Sequence, residues 1–229
     1  AEISQYSHVS CFGAADGTAT VQVTGGTTGY TYLWNTDPVQ TTRTATGLPP
    51  GVHTVEVTDA HGCSVSASVL ITQPMVLDAV ALVVEHVSCF GGADAIASVT
   101  ATGGTPPYLY AWSNGSASRQ VTGLPAGTHT VVVTDSQGCT VERSVVVSEP
   151  LEPLQAFISN TVDPDCANQA TGSATVEASG GTAPYTYAWS NGHTEATATG
   201  LPSGTHLVTV TDASGCSLTL PVVLYDPSG

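Results

Sequence analysis

Cysteine and tryptophan recur along this chain with a period near 77 residues. The first cysteine of each period is Cys11, Cys89 and Cys166, the second is Cys63, Cys139 and Cys216, and the tryptophans are Trp34, Trp112 and Trp189. The 229 residues are therefore divided among three copies of one small module, at 1–74, 75–150 and 151–229. Each copy must bury its own thin core, and a module of that size is marginal without a covalent staple. Copying a module is also how chains gain reach and multivalency, whereas an active site is normally a single constellation.

Within a copy the apolar residues alternate. Ala19, Val21 and Val23 share one strand face, Val55 and Val57 another, and Val65, Ala67, Val69 and Ile71 a third, with Gly, Asn, Asp and Pro turns between them. No stretch has helical period. The expectation is all-β: three tandem immunoglobulin-like antiparallel β-sandwich modules of six or seven short strands each. Strands are expected over 2–9, 18–24, 30–34, 41–45, 52–58 and 65–71 of the first copy, with Thr46-Gly47-Leu48-Pro49-Pro50-Gly51 as a turn.

One cysteine pair per copy makes pairing within each copy the simplest expectation: Cys11 with Cys63, Cys89 with Cys139, and Cys166 with Cys216. Sequence alone leaves the connectivity open. Two cysteines per module and no CxxC cannot complete a zinc site, and paired cysteines in small β modules point to an oxidising, extracellular setting. Charge narrows the partners. Eighteen acidic residues face three arginines and no lysine, for a net charge of −15, which excludes nucleic acid and anionic lipid as partners. No run is long enough to insert in a membrane.

Further motifs recur in order. The second copy reads Ser88-Cys89-Phe90-Gly91, Gly103-Gly104-Thr105-Pro106-Pro107-Tyr108, Trp112-Ser113-Asn114-Gly115, Gly123-Leu124-Pro125-Ala126-Gly127 and Thr134-Asp135 before Gly138-Cys139. This series resembles the SprB repeat of secreted Bacteroidota cell-surface adhesins and, more distantly, PKD-type sandwich modules. The resemblance covers nearly the whole chain and departs at Asp165-Cys166-Ala167-Asn168. It implies secretion, surface display, and adhesion or gliding motility, and it does not imply a catalytic residue; a filament is the expectation only if the chain is a subunit of an extracellular fibre.

Three residue sets are candidate sites. Tyr30, Tyr32 and Trp34 share a strand face, as do their counterparts, so Tyr30, Tyr108 and Tyr185 are the candidate glycan contacts; the competing reading makes this face the core. Asp59, Asp135 and Asp212 each precede a turn to Gly-Cys and are the candidate Ca²⁺ ligands; the competing reading is an Asx-turn. His8 and His86, and His53, His129 and His206, recur in register and read as structural. No cofactor is required, and no hydrolase, metalloprotease or nucleotide-binding motif is present, so the chain reads as non-enzymatic.

The leading expectation is a structural or adhesive extracellular array. Its partners are copies of itself or flanking repeats of a longer chain, with surface glycans as a further ligand class. The alternative is a carbohydrate-binding accessory array of a secreted hydrolase. The chain spans almost a whole number of periods, so it is expected to be an excised stretch of a longer array or a subunit that polymerises head-to-tail by strand addition.

Overall fold

In a computed structural model describing residues 1–166 and 169–226, every regular element is a β-strand. The eighteen strands of the described residues fall into six three-stranded antiparallel sheets, two per module. The chain divides into two compact units, Ala1–Ala81 with Val99–Arg119 and Thr130–Arg143, and Leu82–Ser98 with Gln120–His129 and Ser144–Gly229. The division passes through the middle module, so each link from one module to the next lies inside a single unit.

Module 1 comprises β1 (Glu2–Ser7), β2 (Gly17–Gln22), β3 (Thr31–Trp34), β4 (Thr44–Leu48), β5 (Gly51–Thr58) and β6 (Ser64–Ile71). One sheet runs β1-β2-β4 and the other β3-β5-β6. The alternation in the sequence becomes the inner faces: Ala19 and Val21 from β2, Val55 and Val57 from β5, and Ile71 from β6 are buried around Trp34, which is 1% exposed. Burying an indole requires a partner for its N–H, and Trp34 Nε1 donates to the Thr42 carbonyl at 2.9 Å.

β3 and β4 are two halves of one passage across the module. β3 pairs Thr31 with Thr58 and stops where Trp34 meets Val55, midway along β5. The chain then changes sheets, and β4 starts where Thr44 meets Thr20, midway along β2, ending at the Leu48–Gly17 pair. The segment Thr46-Gly47-Leu48, expected as a turn, belongs to β4. The pairing shifts register between Gly17 and Ala19, which lets Leu48 bury fully.

Module 2 comprises β7 (Asp78–Glu85), β8 (Ala95–Thr102), β9 (Leu109–Trp112), β10 (Gln120–Leu124), β11 (Gly127–Thr134) and β12 (Thr140–Val147), in sheets β10-β8-β7 and β12-β11-β9. Module 3 comprises β13 (Gln155–Val162), β14 (Gly172–Ser179), β15 (Thr186–Trp189), β16 (Thr197–Leu201), β17 (Gly204–Thr211) and β18 (Ser217–Leu224), in sheets β13-β14-β16 and β15-β17-β18. Its core gathers Val176, Trp189, Leu201, Val208, Val210 and Leu224.

Candidate functional site at the module links

Each β5–β6-type turn is held by one carboxylate. Asp135 Oδ1 accepts the Gln137 and Cys139 N–H groups, both at 2.9 Å, and its Oδ2 accepts Thr105 N–H at 2.8 Å. Asp212 does the same with Ser214, Cys216 and Thr182, and Asp59 with His61, Cys63 and Thr27. The aspartate thus fixes the turn that carries the second cysteine and ties it to the Gly-Gly-Thr loop. These N–H donors hold Asp59 below the usual carboxylate range, led by Thr27 and Cys63. At Asp135 burial pushes upward, but the N–H groups of Thr105, Cys139, Gln137 and Gly138 outweigh it and the net direction is down. The candidate Ca²⁺ ligands are in this way occupied as Asx-turn acceptors. Among the described residues no three His, Cys, Asp or Glu side chains gather as a metal site.

The loop carrying the first cysteine lies at the other end of its module. Ser10 donates its N–H at 2.9 Å and its hydroxyl at 2.5 Å to Asp16; these two bonds, the hydroxyl first, hold the Asp16 carboxyl low. Ser88 and Asp94 repeat the arrangement. In module 3, where the sequence departs, Thr171 takes over and its hydroxyl accepts Asp165 N–H at 2.9 Å. Val9 N–H donates to the Thr72 carbonyl at 3.2 Å, seating the Cys11 loop beside the end of β6.

That placement overturns the expected disulfides. Cys63 precedes Ser64 at the start of β6, whereas the Cys11 loop sits beyond Ile71 at its finish. Eight residues of strand separate the two by roughly 27 Å, and a disulfide needs its Cα atoms within about 7 Å. Module 3 has the same geometry, with Cys216 before Ser217 and Asp163 accepting the N–H of Tyr225 just past Leu224 at 2.8 Å. Cys11–Cys63, Cys89–Cys139 and Cys166–Cys216 are therefore not the pairs. Cys11 bonds Cys139 with Cα atoms 5.8 Å apart, Cys89 bonds Cys216 at 5.7 Å, and Cys63 and Cys166 are exposed thiols. Each bridge joins the first cysteine of one module to the second cysteine of the next.

Beside each bridge the linker is laid into the following module. Gly104 N–H donates to the Met75 carbonyl, and Gly181 N–H to the Glu152 carbonyl, both at 2.9 Å. The approach demands glycine: a Cβ on Gly103 would overlap the Val76 carbonyl, and one on Gly180 would overlap that of Pro153.

The profile of the SprB repeat matches three times, at residues 4–39, 81–117 and 158–194, once in each module and in the order of the strands just described. The chain carries three SprB repeats. No curated protein matches it in sequence. Among solved structures, these SprB modules are similar to the three N-terminal domains of the outer capsid protein Hoc of bacteriophage RB49, with 15% identity, 98% of both chains covered and a TM-score of 0.44. They are also similar to the N-terminal eight immunoglobulin domains of the Down syndrome cell adhesion molecule, with 12% identity, 93% of this chain and 34% of that one covered, and a TM-score of 0.39. A tetra-tandem repeat from the extending region of a large adhesion protein gives 15% identity, 97% and 73% coverage and a TM-score of 0.26.

The aromatic face of the SprB modules turns inward. Trp34, Trp112 and Trp189 are buried, Tyr30 and Tyr32 pack against the first core, and Tyr185 and Tyr187 against the third. The hydroxyls of Tyr30, Tyr108 and Tyr185 donate to the carbonyls of Gly25, Gly103 and Gly180 at 2.7, 2.6 and 2.7 Å. Each candidate glycan contact is thus half-buried and braces the glycine loop of its own module, and in modules 2 and 3 that loop lies against the linker. The recurring histidines are structural too: His8 and His86 accept backbone N–H groups of Thr72 and Ser148, and His53, His129 and His206 bond the carbonyls of Pro49, Pro125 and Pro202.

Proposed function

We propose that this chain is a non-catalytic extracellular array of three SprB modules, at residues 1–74, 75–150 and 151–229, that serves as a structural segment of a cell-surface adhesin or fibre. The observation that carries the reading is the direction of the disulfides. A bridge that merely stabilised a small module would close on itself, but both bridges here fasten one module to the next. Such bonds persist only in an oxidising compartment, and they make the link between modules as durable as the modules. The residues best placed to serve a ligand in the sequence, the tyrosine stripe and the Gly-Cys aspartates, are engaged in holding the turns and glycine loops of their own modules. The net charge of −15 keeps an extended array soluble and apart from its neighbours.

Antibodies raised against the purified chain test this reading on the organism that makes it. Labelling of intact, unpermeabilised cells, abolished by brief surface proteolysis, is the expected outcome. Labelling that appears only after permeabilisation overturns it.

A further inference from the structure

The hairpin that follows the buried tryptophan is longer in module 1 than in its copies. The N–H groups of Trp112 and Trp189 close on the carbonyls of Ser116 and His193, four residues on, whereas Trp34 N–H closes on that of Gln40, six residues on. The longer loop is fixed by its own side chains. Thr36 Oγ1 accepts the Gln40 N–H at 3.0 Å, the Gln40 amide brackets the N–H and carbonyl of Thr46 at 2.9 and 2.8 Å, and Asn35 Oδ1 accepts the Thr54 N–H at 2.8 Å. Between this loop, Pro49 and β5 lies a cavity of about 410 Å³, whose lining includes Thr36, Asp37, Pro38, Gln40, Pro49 and His53. Its size is that of a small-ligand site, roughly 300–1,000 Å³.

His53 differs from the other members of its series. Its Nε2 bonds the Pro49 carbonyl at 2.8 Å, as His129 and His206 bond those of Pro125 and Pro202. Yet His53 is 7% exposed, while its two counterparts are only half-buried. A carbonyl only accepts, so Nε2 of the neutral ring carries the proton and Nδ1 keeps a lone pair. That Nδ1 is buried and has no hydrogen-bond partner. Buried acceptors in folded proteins are paired, so this one calls for a donor from whatever fills the cavity. The same lining contributes one acidic side chain, the exposed Asp37.

The chemistry of the occupant follows from these two groups. Among the described residues no three His, Cys, Asp or Glu side chains gather, so a metal ion finds too few ligands here. Water donates to Nδ1 but gains little from the carboxylate. A cation that carries N–H groups satisfies both, and the net charge of −15 draws cations to the surface. A primary ammonium suits the site better than a guanidinium, because its three donors turn to separate acceptors while the planar fork demands a paired one. The modules do not supply the group themselves: they hold no lysine, and Arg43, Arg119 and Arg143 bond strand carbonyls.

We infer that the cavity of module 1 binds a primary alkylammonium group, the head of a lysine side chain or of a free amine, which donates to His53 Nδ1 and to the Asp37 carboxylate. The two extra residues of the hairpin build the site, so one module of the array gains a recognition role that its copies lack. The inference adds a ligand to the array reading above without depending on it.

The test follows the imidazole nitrogens of the full chain, carrying isotope-labelled histidine, by NMR at about pH 8, where the rings are neutral, and at low salt, which leaves Asp37 unscreened. His53→Gln serves only to assign the His53 signals. Butylammonium stands for a free amine and Nα-acetyl-lysine amide for a lysine side chain, and each is titrated separately. A saturable shift of His53 Nδ1 is expected, with none at His129 or His206, and the tighter of the two probes identifies the source. Tetramethylammonium, a cation without N–H groups, is expected to bind at least tenfold more weakly. Asp37→Asn alters an exposed loop position, so the fold is expected to persist, as an unchanged Trp34 indole proton signal will verify, while butylammonium binding weakens at least tenfold. A His53 signal unmoved by both probes, equal shifts at His129 and His206, tetramethylammonium binding as tightly as butylammonium, or undiminished binding by Asp37→Asn overturns the inference. None of these outcomes bears on cell-surface labelling, so the two readings fail separately.

Discussion

Replacing Gly103 by alanine isolates the docking of a linker from everything else in the link, because module 1 supplies its own control. Gly25 and Gly103 hold the same place in their modules, with φ of +75° and +67°. Alanine at either site carries the left-handed backbone cost, about 1 kcal/mol. At Gly25 that is the whole effect, since the new methyl meets nothing within 4 Å. At Gly103 it strikes backbone, the Val76 carbonyl, which cannot swing aside as a side chain would. The linker must lift, losing the Gly104 N–H to Met75 bond, about 1 kcal/mol net. The leucine at 77, whose side chain lies 3.1 Å from where a Gly104 Cβ would sit, loses its seat, and overpacking of this kind costs about 1–3 kcal/mol. The excess over Gly25→Ala is then about 3 kcal/mol, or roughly a hundredfold in an opening equilibrium. Amide hydrogen exchange at Gly104 reads this directly. Gly103→Ala should speed that exchange about a hundredfold, and Gly25→Ala should leave it unchanged. Equal exchange in the two variants, or full protection in Gly103→Ala, would refute the account of how the linker is held.

Peptide mapping of the chain under acid quench should recover Cys11 linked to Cys139 and Cys89 linked to Cys216, with Cys63 and Cys166 alkylated; recovery of Cys11–Cys63 would contradict the fold. Trp34→Ala should destabilise module 1 by about 3–5 kcal/mol, seen as earlier loss of protection in β2 and β5 than in module 3. Asp135→Asn should weaken its turn by about 1–3 kcal/mol, measured by denaturant unfolding at neutral pH. Because the folded-state carboxyls of Asp59 and Asp135 titrate below the ordinary value of 3.8, their contribution is complete above that pH and is lost as pH falls through the lower folded value. Acid unfolding of Asp135→Asn should accordingly be shallower than that of the unaltered chain below pH 3.8, and equal slopes would count against the assignment.

The alternation of Ala19 and Val21 and of Val55 and Val57 made the inner faces legible in the sequence, and with them the sandwich class. The role of Asp59, Asp135 and Asp212 was legible as well, since an aspartate two and four residues before N–H groups of a Gly-Cys turn is an Asx-turn by chemistry. The disulfide partners were not. Six strands taken as six full passages place the loop of Cys11 and the turn of Cys63 at the same end of the module. In fact β3 and β4 are half-passages, one in each sheet, so the chain crosses four times before the last turn and the two cysteines end up at opposite ends. Nothing in the residues between Trp34 and Thr44 marks a change of sheet, and register with β5 and β2 is what reveals it.

The crossed bridges also determine which bonds bear load when the chain is pulled from its ends. The shortest covalent route runs from residue 1 to Cys11, crosses to Cys139, travels backwards to Cys89, crosses to Cys216 and continues to residue 229. It uses 76 of the 229 residues, so the taut length is roughly 250 Å where an unbridged chain would reach roughly 750 Å. Residues 12–88 and 140–215 lie off this route, and both linkers with them. At full tension the strands β2–β7 and β12–β17 carry no force, the linkers are slack, and the middle of the second module is drawn in the direction opposite to its synthesis.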